Sequence, residues 1–282
     1  METVTRFAPS PTGYLHIGHA YSALINFDQA IAAGGHFLLR IEDIDQTRCR
    51  PEYEAAIFED LAWIGLTWKE PVLRQSDRMA LYETRLAELE SRGLVYRCFK
   101  SRKDIQDAMS APHHSPVGAF RSGPLAAIEE RDALAEGKPY AWRLSMSEAE
   151  TTLGDAFSTL TFVEETKTGQ VECPADAGHF GDVVLGRKDS GTSYHLSSVI
   201  DDAEQGVTNV TRGKDLRDAA GLHVLLYKIL GLTPPVYRHH DLILGDDGKR
   251  LAKRDHAATL RAMRENSLSP SDVKAQLPIV TT

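Results

Sequence analysis

The chain has 282 residues, 42% of them hydrophobic and 26% charged, with a formal net charge of −8. That makeup fits a globular protein of one or two domains, and no apolar run reaches the roughly 18 to 20 residues of a membrane span. The acidic balance counts against a general nucleic-acid binder but leaves room for a local basic patch.

The first element is a β-type run at residues 4–8, which enters a loop with two prolines and a glycine, Pro9-Ser10-Pro11-Thr12-Gly13. Residues 18–33 carry apolar side chains at helical spacing (Ala20, Leu24, Phe27, Ile31) and stop at Gly34-Gly35. A buried strand is expected at 36–41, so strand, helix and strand follow one another in the manner of a parallel sheet. Pro51 opens a helix expected to reach residue 64, and Ser76 is placed to cap another that ends at Gly93. Residues 111–123 read as a loop, and short strands are expected at 140–146, 158–163 and 181–186. From about 193 the α/β rhythm returns, with strands at 207–211 and 236–244, a helix at 221–230 and a turn at 245–248. The three cysteines, Cys49, Cys98 and Cys173, are far apart and odd in number, and the chain starts without a signal-peptide pattern. Free thiols and a cytoplasmic setting are expected.

Several short stretches carry chemistry. His16-Ile17-Gly18-His19 ends the first loop where the first helix begins. There the helix dipole, backbone N–H groups and two imidazoles on one side all favour an anion such as a nucleotide phosphate. Gly18 allows close approach to the backbone. Arg40-Ile41-Glu42-Asp43-Ile44-Asp45 ends the second strand, where a metal site, an ammonium site and a plain polar strand end are all compatible with three carboxylates. Lys249-Arg250-Leu251-Ala252-Lys253-Arg254 follows a Gly-rich turn and suits a polyphosphate clamp or a solvated loop. Arg212 ends a predicted strand, and Tyr194 lies on an apolar run before Asp201-Asp202. Two basic clusters, at 97–103 and 238–264, are candidate RNA contacts. His113-His114 with Cys173 and His179 fits no standard closed zinc site.

As a set, these segments resemble the class I aminoacyl-tRNA synthetases of the glutamyl type. The paired signatures are His16-Ile17-Gly18-His19 and Arg250-Leu251-Ala252-Lys253-Arg254. The flanking matches are Arg6-Phe7-Ala8-Pro9-Ser10-Pro11-Thr12-Gly13, Arg40 to Asp45, Val199-Ile200-Asp201-Asp202 and Thr211-Arg212-Gly213. The resemblance implies a Rossmann-type α/β catalytic domain with a parallel sheet, its halves at 1–96 and 191–282, around an inserted acceptor-domain-like α+β segment at 97–190. A short helical tail is expected after the second signature. Only about 28 residues follow Arg254, so no anticodon-binding domain is expected. That length matches the family's shortened branch, which activates glutamate with ATP and transfers it to the queuosine base at the wobble position of tRNA(Asp).

By the same resemblance, Arg6, Phe7, Ala8, Pro9, Ser10, Glu42, Tyr194 and Arg212 hold glutamate, and His16, Gly18, His19, Arg250 and Lys253 hold ATP. His16, His19 and Lys253 assist the reaction, and Mg2+ is expected on the phosphates. The family's zinc cysteines are missing around Cys98-Phe99-Lys100, so zinc is expected to be absent. With no apolar run of spanning length, no membrane association is expected, and a monomer is expected.

Overall fold

The computed structural model describes residues 2–101, 104–105, 120–243 and 259–278. A seven-stranded sheet runs through the molecule in the order β3-β2-β1-β9-β10-β6-β7. The strands are β1 Val4–Phe7, β2 His36–Ile41, β3 Lys69–Arg74, β6 Thr161–Thr166, β7 Gly169–Pro174, β9 Asn209–Gly213 and β10 Val236–His240. All pair in parallel except β7, which closes an antiparallel hairpin on β6. A smaller antiparallel sheet joins β4 Val95–Cys98, β5 Ala141–Leu144 and β8 Val184–Gly186. Residues 97–190 therefore contribute strands to both sheets.

Strand β2 shows why the large sheet sits in the interior. Phe37, Leu39 and Ile41 belong to one apolar cluster and Leu38 to another. Alternate residues point to opposite faces, so both faces of the sheet are covered and the strand reads as an unbroken apolar run. Helix α1 (Ile17–Ala32), helix α2 (Pro51–Trp63) and the late helix Leu260–Glu265 pack on the Leu39 face. Helices Tyr194–Glu204 and Ala219–Ile229 pack on the Leu38 face. Gly35 makes the α1–β2 connection possible, because a Cβ there would lie 1.9 Å from the carbonyl oxygen of Thr3.

The expected α/β order holds, with local shifts. Ile31 is 58% exposed, because alanines at 20, 23 and 30 bring α1 close to the sheet instead. The strand expected from 158 begins at Thr161, after a helical turn at Asp155–Ser158. Ser76 does not cap its helix, which begins at Met79. Its backbone N–H and hydroxyl both donate to Asp43, at 2.8 and 2.6 Å, within a 3-10 turn. The 245–248 turn and His113-His114 lie outside the described residues.

Asp60 on α2 carries a testable cost. It is fully buried, neither carboxylate oxygen has a hydrogen-bond partner, and its nearest cation, Arg264, is 3.6 Å away. Burial pushes its pKa up from 3.8 to about 6 against the pull of Arg264. The native state therefore holds this proton more tightly than the unfolded chain. The contribution of Asp60 to stability is fullest below pH 4 and falls between about pH 4 and 6. Asp60→Asn is expected to raise stability at pH 8 by about 2 kcal/mol and to give a much smaller gain at pH 4.5, measured by urea unfolding at the two pH values.

Candidate active site

The carboxyl ends of β1, β2, β9 and β10 open into one cleft of about 470 Å³. In open α/β sheets ligands bind at this end, where the chain runs to opposite sides of a central strand. Here β1 is that strand, with β2 on one side and β9 on the other. Arg6, Phe7, Ala8, Ser10, His16, Gly18, His19, Glu42, Tyr194 and Arg212 all line the cleft. Pro9 does not. Its carbonyl accepts from the N–H of Glu42 at 3.0 Å, and that of Pro11 accepts from Arg50, also at 3.0 Å. The two prolines thus stitch the loop after β1 to the end of β2 and the start of α2.

The start of α1 differs from a bare anion-binding helix end. His16 Nδ1 accepts from the Gly18 N–H, and His19 Nδ1 accepts from the His16 N–H, each at 3.1 Å. The two histidines thus do what Ser/Thr and Glu do in a capping box. The N–H groups of His19 and Ala20 both reach the His16 carbonyl. The first-turn amides from Gly18 to Ala20 are therefore engaged within the chain, which leaves the imidazoles as the polar groups this helix start presents. With both Nδ1 atoms accepting, the hydrogen-bond pattern assigns the ring protons to Nε2. The rings stack 3.8 Å apart. A Cβ on Gly18 would come within 3.0 Å of the His16 ring, so the glycine makes room for this stack.

The other end of the cleft is a buried charge network. Asp202 accepts from Arg6 Nε at 3.1 Å and from Arg40 at 2.7 Å. Arg40 also donates to Glu42 at 3.1 Å. Burial works against the charge of Arg6, but Asp202 outweighs it and holds the pKa above its ordinary value. Burial likewise opposes the Asp202 carboxylate, and Arg6 and Arg40 bring its pKa below the ordinary value. Burial pushes Glu42 upward while Arg40 and Arg6 restrain it. A cation arriving beside Glu42 would favour its charged form. Of the three carboxylates after β2, Asp43 is taken by Ser76 and Asp45 by Thr47 and Arg48, so Glu42 is the buried one.

Arg212 is held differently. Its Nε donates to His239 Nε2 at 3.4 Å, and Nη1 donates to Tyr194 Oη at 3.4 Å and His223 Nδ1 at 3.3 Å. Its Nη2 is buried without a hydrogen-bond partner. His223 and His239 stand 11 and 27 positions from Arg212. Their link to Arg212 was not visible in the sequence, where no motif marks them.

The basic clusters are less free than their composition implied. Arg97 pairs with Glu90 at 2.6 Å and Glu130 at 2.8 Å, and lies over Trp142. Arg261 pairs with Glu265 and Arg264 with Glu59. Arg250, Lys253 and the rest of the second signature lie outside the described residues. On either side of that stretch, Leu242 and Ile243 line the cleft, and Thr259 bridges to His16. Cys98 is on the small sheet and Cys173 on β7 of the large one. Among the described residues no group of three His, Cys, Asp or Glu side chains is placed to hold a metal ion.

A parallel nucleotide-type sheet with these imidazoles and guanidiniums at one mouth defines a class I synthetase catalytic domain. The family model for the class I tRNA synthetases of glutamate and glutamine, catalytic domain, matches residues 2–272, and the chain belongs to that family. It is 48% identical to the glutamyl-Q tRNA(Asp) synthetase of Rhodobacter capsulatus, over 96% of this chain and 98% of that protein. It is 39% identical to the same-named protein of Nocardia farcinica, over 96% of this chain and 82% of the other. A solved glutamate tRNA ligase of Elizabethkingia meningosepticum superposes with a TM-score of 0.74 at 31% identity, covering 90% of this chain and 52% of the ligase. The chain thus spans about half of that longer enzyme. It is a ligase of the tRNA-synthetase type.

Proposed function

We propose that this enzyme activates L-glutamate with ATP and transfers the glutamyl group to the queuosine base at the wobble position of tRNA(Asp). The observation that carries the first step is the pairing, in one cleft, of a buried guanidinium with an unpartnered N–H at Arg212 and a buried carboxylate at Glu42. They suit the side-chain carboxylate and the ammonium of glutamate. Arg6 and the loop through Ser10 complete that subsite, with Tyr194 beside Arg212.

His16 and His19, with protons on Nε2, suit the α-phosphate of ATP. The α-carboxylate of glutamate attacks the α-phosphorus, the bond to the bridging oxygen breaks, and pyrophosphate leaves. The substrate is itself the nucleophile, so the site needs only to position the reactants and stabilise the phosphate charge. Arg250 and Lys253 are assigned to the departing phosphates. Mg2+ is expected to enter on the nucleotide, since magnesium commonly binds through substrate phosphates. An acceptor hydroxyl on the RNA then attacks the acyl carbon, an ester forms and AMP leaves.

Support for this acceptor comes from the relatives named glutamyl-Q tRNA(Asp) synthetase, one of which this chain matches over nearly its full length. Residues 97–190 are assigned to an inserted segment that meets the RNA, and a cytoplasmic monomer is expected. The likeness to glutamate tRNA ligases favours a second reading, charging of the 3′ end of tRNA(Glu). The activation step is tested by glutamate-dependent exchange of pyrophosphate into ATP. Exchange without any RNA is expected. Exchange that appears only when tRNA is added would overturn the RNA-independent first step.

A further inference from the structure

Three of the buried arginines at this site have different company. Arg6 and Arg40 contact carboxylates directly. Arg212 is equally buried, yet the side-chain atoms it reaches belong to two imidazoles and a phenol, with the ring of Tyr237 5.1 Å below it. Among the described residues no acid pairs with it. The nearest acid along this network is Glu164, one imidazole further out, where Arg217 binds it through Nε and Nη2 at 2.7 to 3.2 Å. A buried charge without a counter-ion is costly, and a fold retains one where a ligand supplies the counter-charge.

The hydrogen bonds also assign the ring protons. Arginine only donates, so His239 Nε2 and His223 Nδ1 must accept. His239 then carries its proton on Nδ1 and donates it to Glu164 at 2.6 Å. His223 carries its proton on Nε2 and donates it to His195 Nδ1 at 3.1 Å. Each imidazole has its donor side turned outward and its acceptor side on Arg212. Burial, with the charge of Arg212 adding to it, pushes His195 and His239 down to about 4 and His223 well below its ordinary value. Each of the three rings accepts a hydrogen bond at one nitrogen, which is the pattern of the neutral imidazole.

We propose that His223 and His239 are positioning residues that hold Arg212 by neutral acceptors, leaving its full charge for the side-chain carboxylate of the amino-acid substrate. The site thereby selects an acid over the corresponding amide. A carboxylate in either position would orient the guanidinium equally well but would neutralise it before substrate arrived. This inference rests on the assignment of Arg212 to the substrate side chain.

The test compares an amide with an acid of the same shape at one position. Asparagine places its oxygen near the His223 Nδ1 position, so the pair is His223→Asn and His223→Asp. His223→Asn is expected to keep the KM for glutamate within about fivefold, and His223→Asp to raise it about 30-fold or more. The KM for ATP is expected to stay within about threefold in both. His223→Asp should also narrow the preference for glutamate over glutamine. Equal glutamate KM values in the two variants, or an equal rise for ATP, would overturn the proposal. If the 223 variants fail to bind ATP in a thermal-shift assay, His239→Gln and His239→Glu are read in the same way, with the same deciding results. Arg212→Ala separates the two claims. If it leaves the glutamate KM unchanged, the substrate assignment itself is wrong. If it raises that KM while the paired variants behave alike, only the role of the neutral imidazoles fails.

Discussion

Arg212→Ala is expected to raise the KM for glutamate about 30-fold or more while the KM for ATP moves less than about threefold, a loss of roughly 2 to 5 kcal/mol confined to one substrate. The asymmetry follows from the different elements that carry the two groups, Arg212 at the end of β9 and the His16–His19 stack at the start of α1. The variant is also expected to fold normally. The partners of Arg212 are neutral, so its removal strands no buried charge. Pyrophosphate exchange measured against each substrate in turn checks this, and equal effects on both KM values would contradict the assignment.

Asp202→Ala is expected to do the reverse, damaging the fold first. Asp202 is the shared acceptor of Arg6 and Arg40, both buried. Its removal leaves Arg40 with Glu42 and a more distant Asp201, 4.0 Å away, and leaves Arg6 without its ion pair. Breaking a buried pair in this way costs about 3 to 5 kcal/mol, measured by urea unfolding at pH 7. Asp202→Asn keeps an acceptor for both guanidiniums and is expected to cost less. The native pKa of Asp202 lies below its unfolded value of 3.8. Its contribution is therefore complete above about pH 4 and is lost as pH falls through the lower native value, so the difference between wild type and Asp202→Ala should shrink on acidification. A cost under about 1 kcal/mol at pH 7 would mean the network is not a stabilising unit.

The parts of this fold that read clearly from sequence are those whose signal is local. β2 is apolar because both its faces are covered, and α2 begins at Pro51 because proline fits a helix's first position. The strands that went unread include β3 and β7, the two edges of the large sheet. Edge strands bury little, so Lys69–Arg74 and Gly169–Pro174 carry polar residues and no clean alternation. The loop signatures located the cleft, and Arg6, His16, His19, Glu42, Tyr194 and Arg212 meet there. What sequence could not convey is which charges are already paired. Nothing local distinguishes Arg6, tied to Asp202 across 196 positions, from Arg212, tied to imidazoles. Within the basic cluster at 97–103, Arg97 is likewise already paired, since the acids that bind it come from two separate helices, while Arg102 and Lys103 lie outside the described residues.

Asp182 shows what holds the small sheet. Its carboxylate accepts from Tyr96 Oη at 2.8 Å and from the N–H groups of Ser122 and Met146 at 2.9 and 3.0 Å. One buried side chain thus joins three separate stretches of chain around β4 and β5.

The destination of the glutamyl group is settled by locating the label on the RNA product. Radiolabelled glutamate, ATP and the enzyme are incubated with queuosine-containing tRNA(Asp), and the RNA is then cut by nuclease into anticodon and acceptor fragments. Label is expected in the anticodon stem-loop fragment, and none when the same tRNA lacks queuosine. Label at the 3′-terminal fragment would contradict that destination.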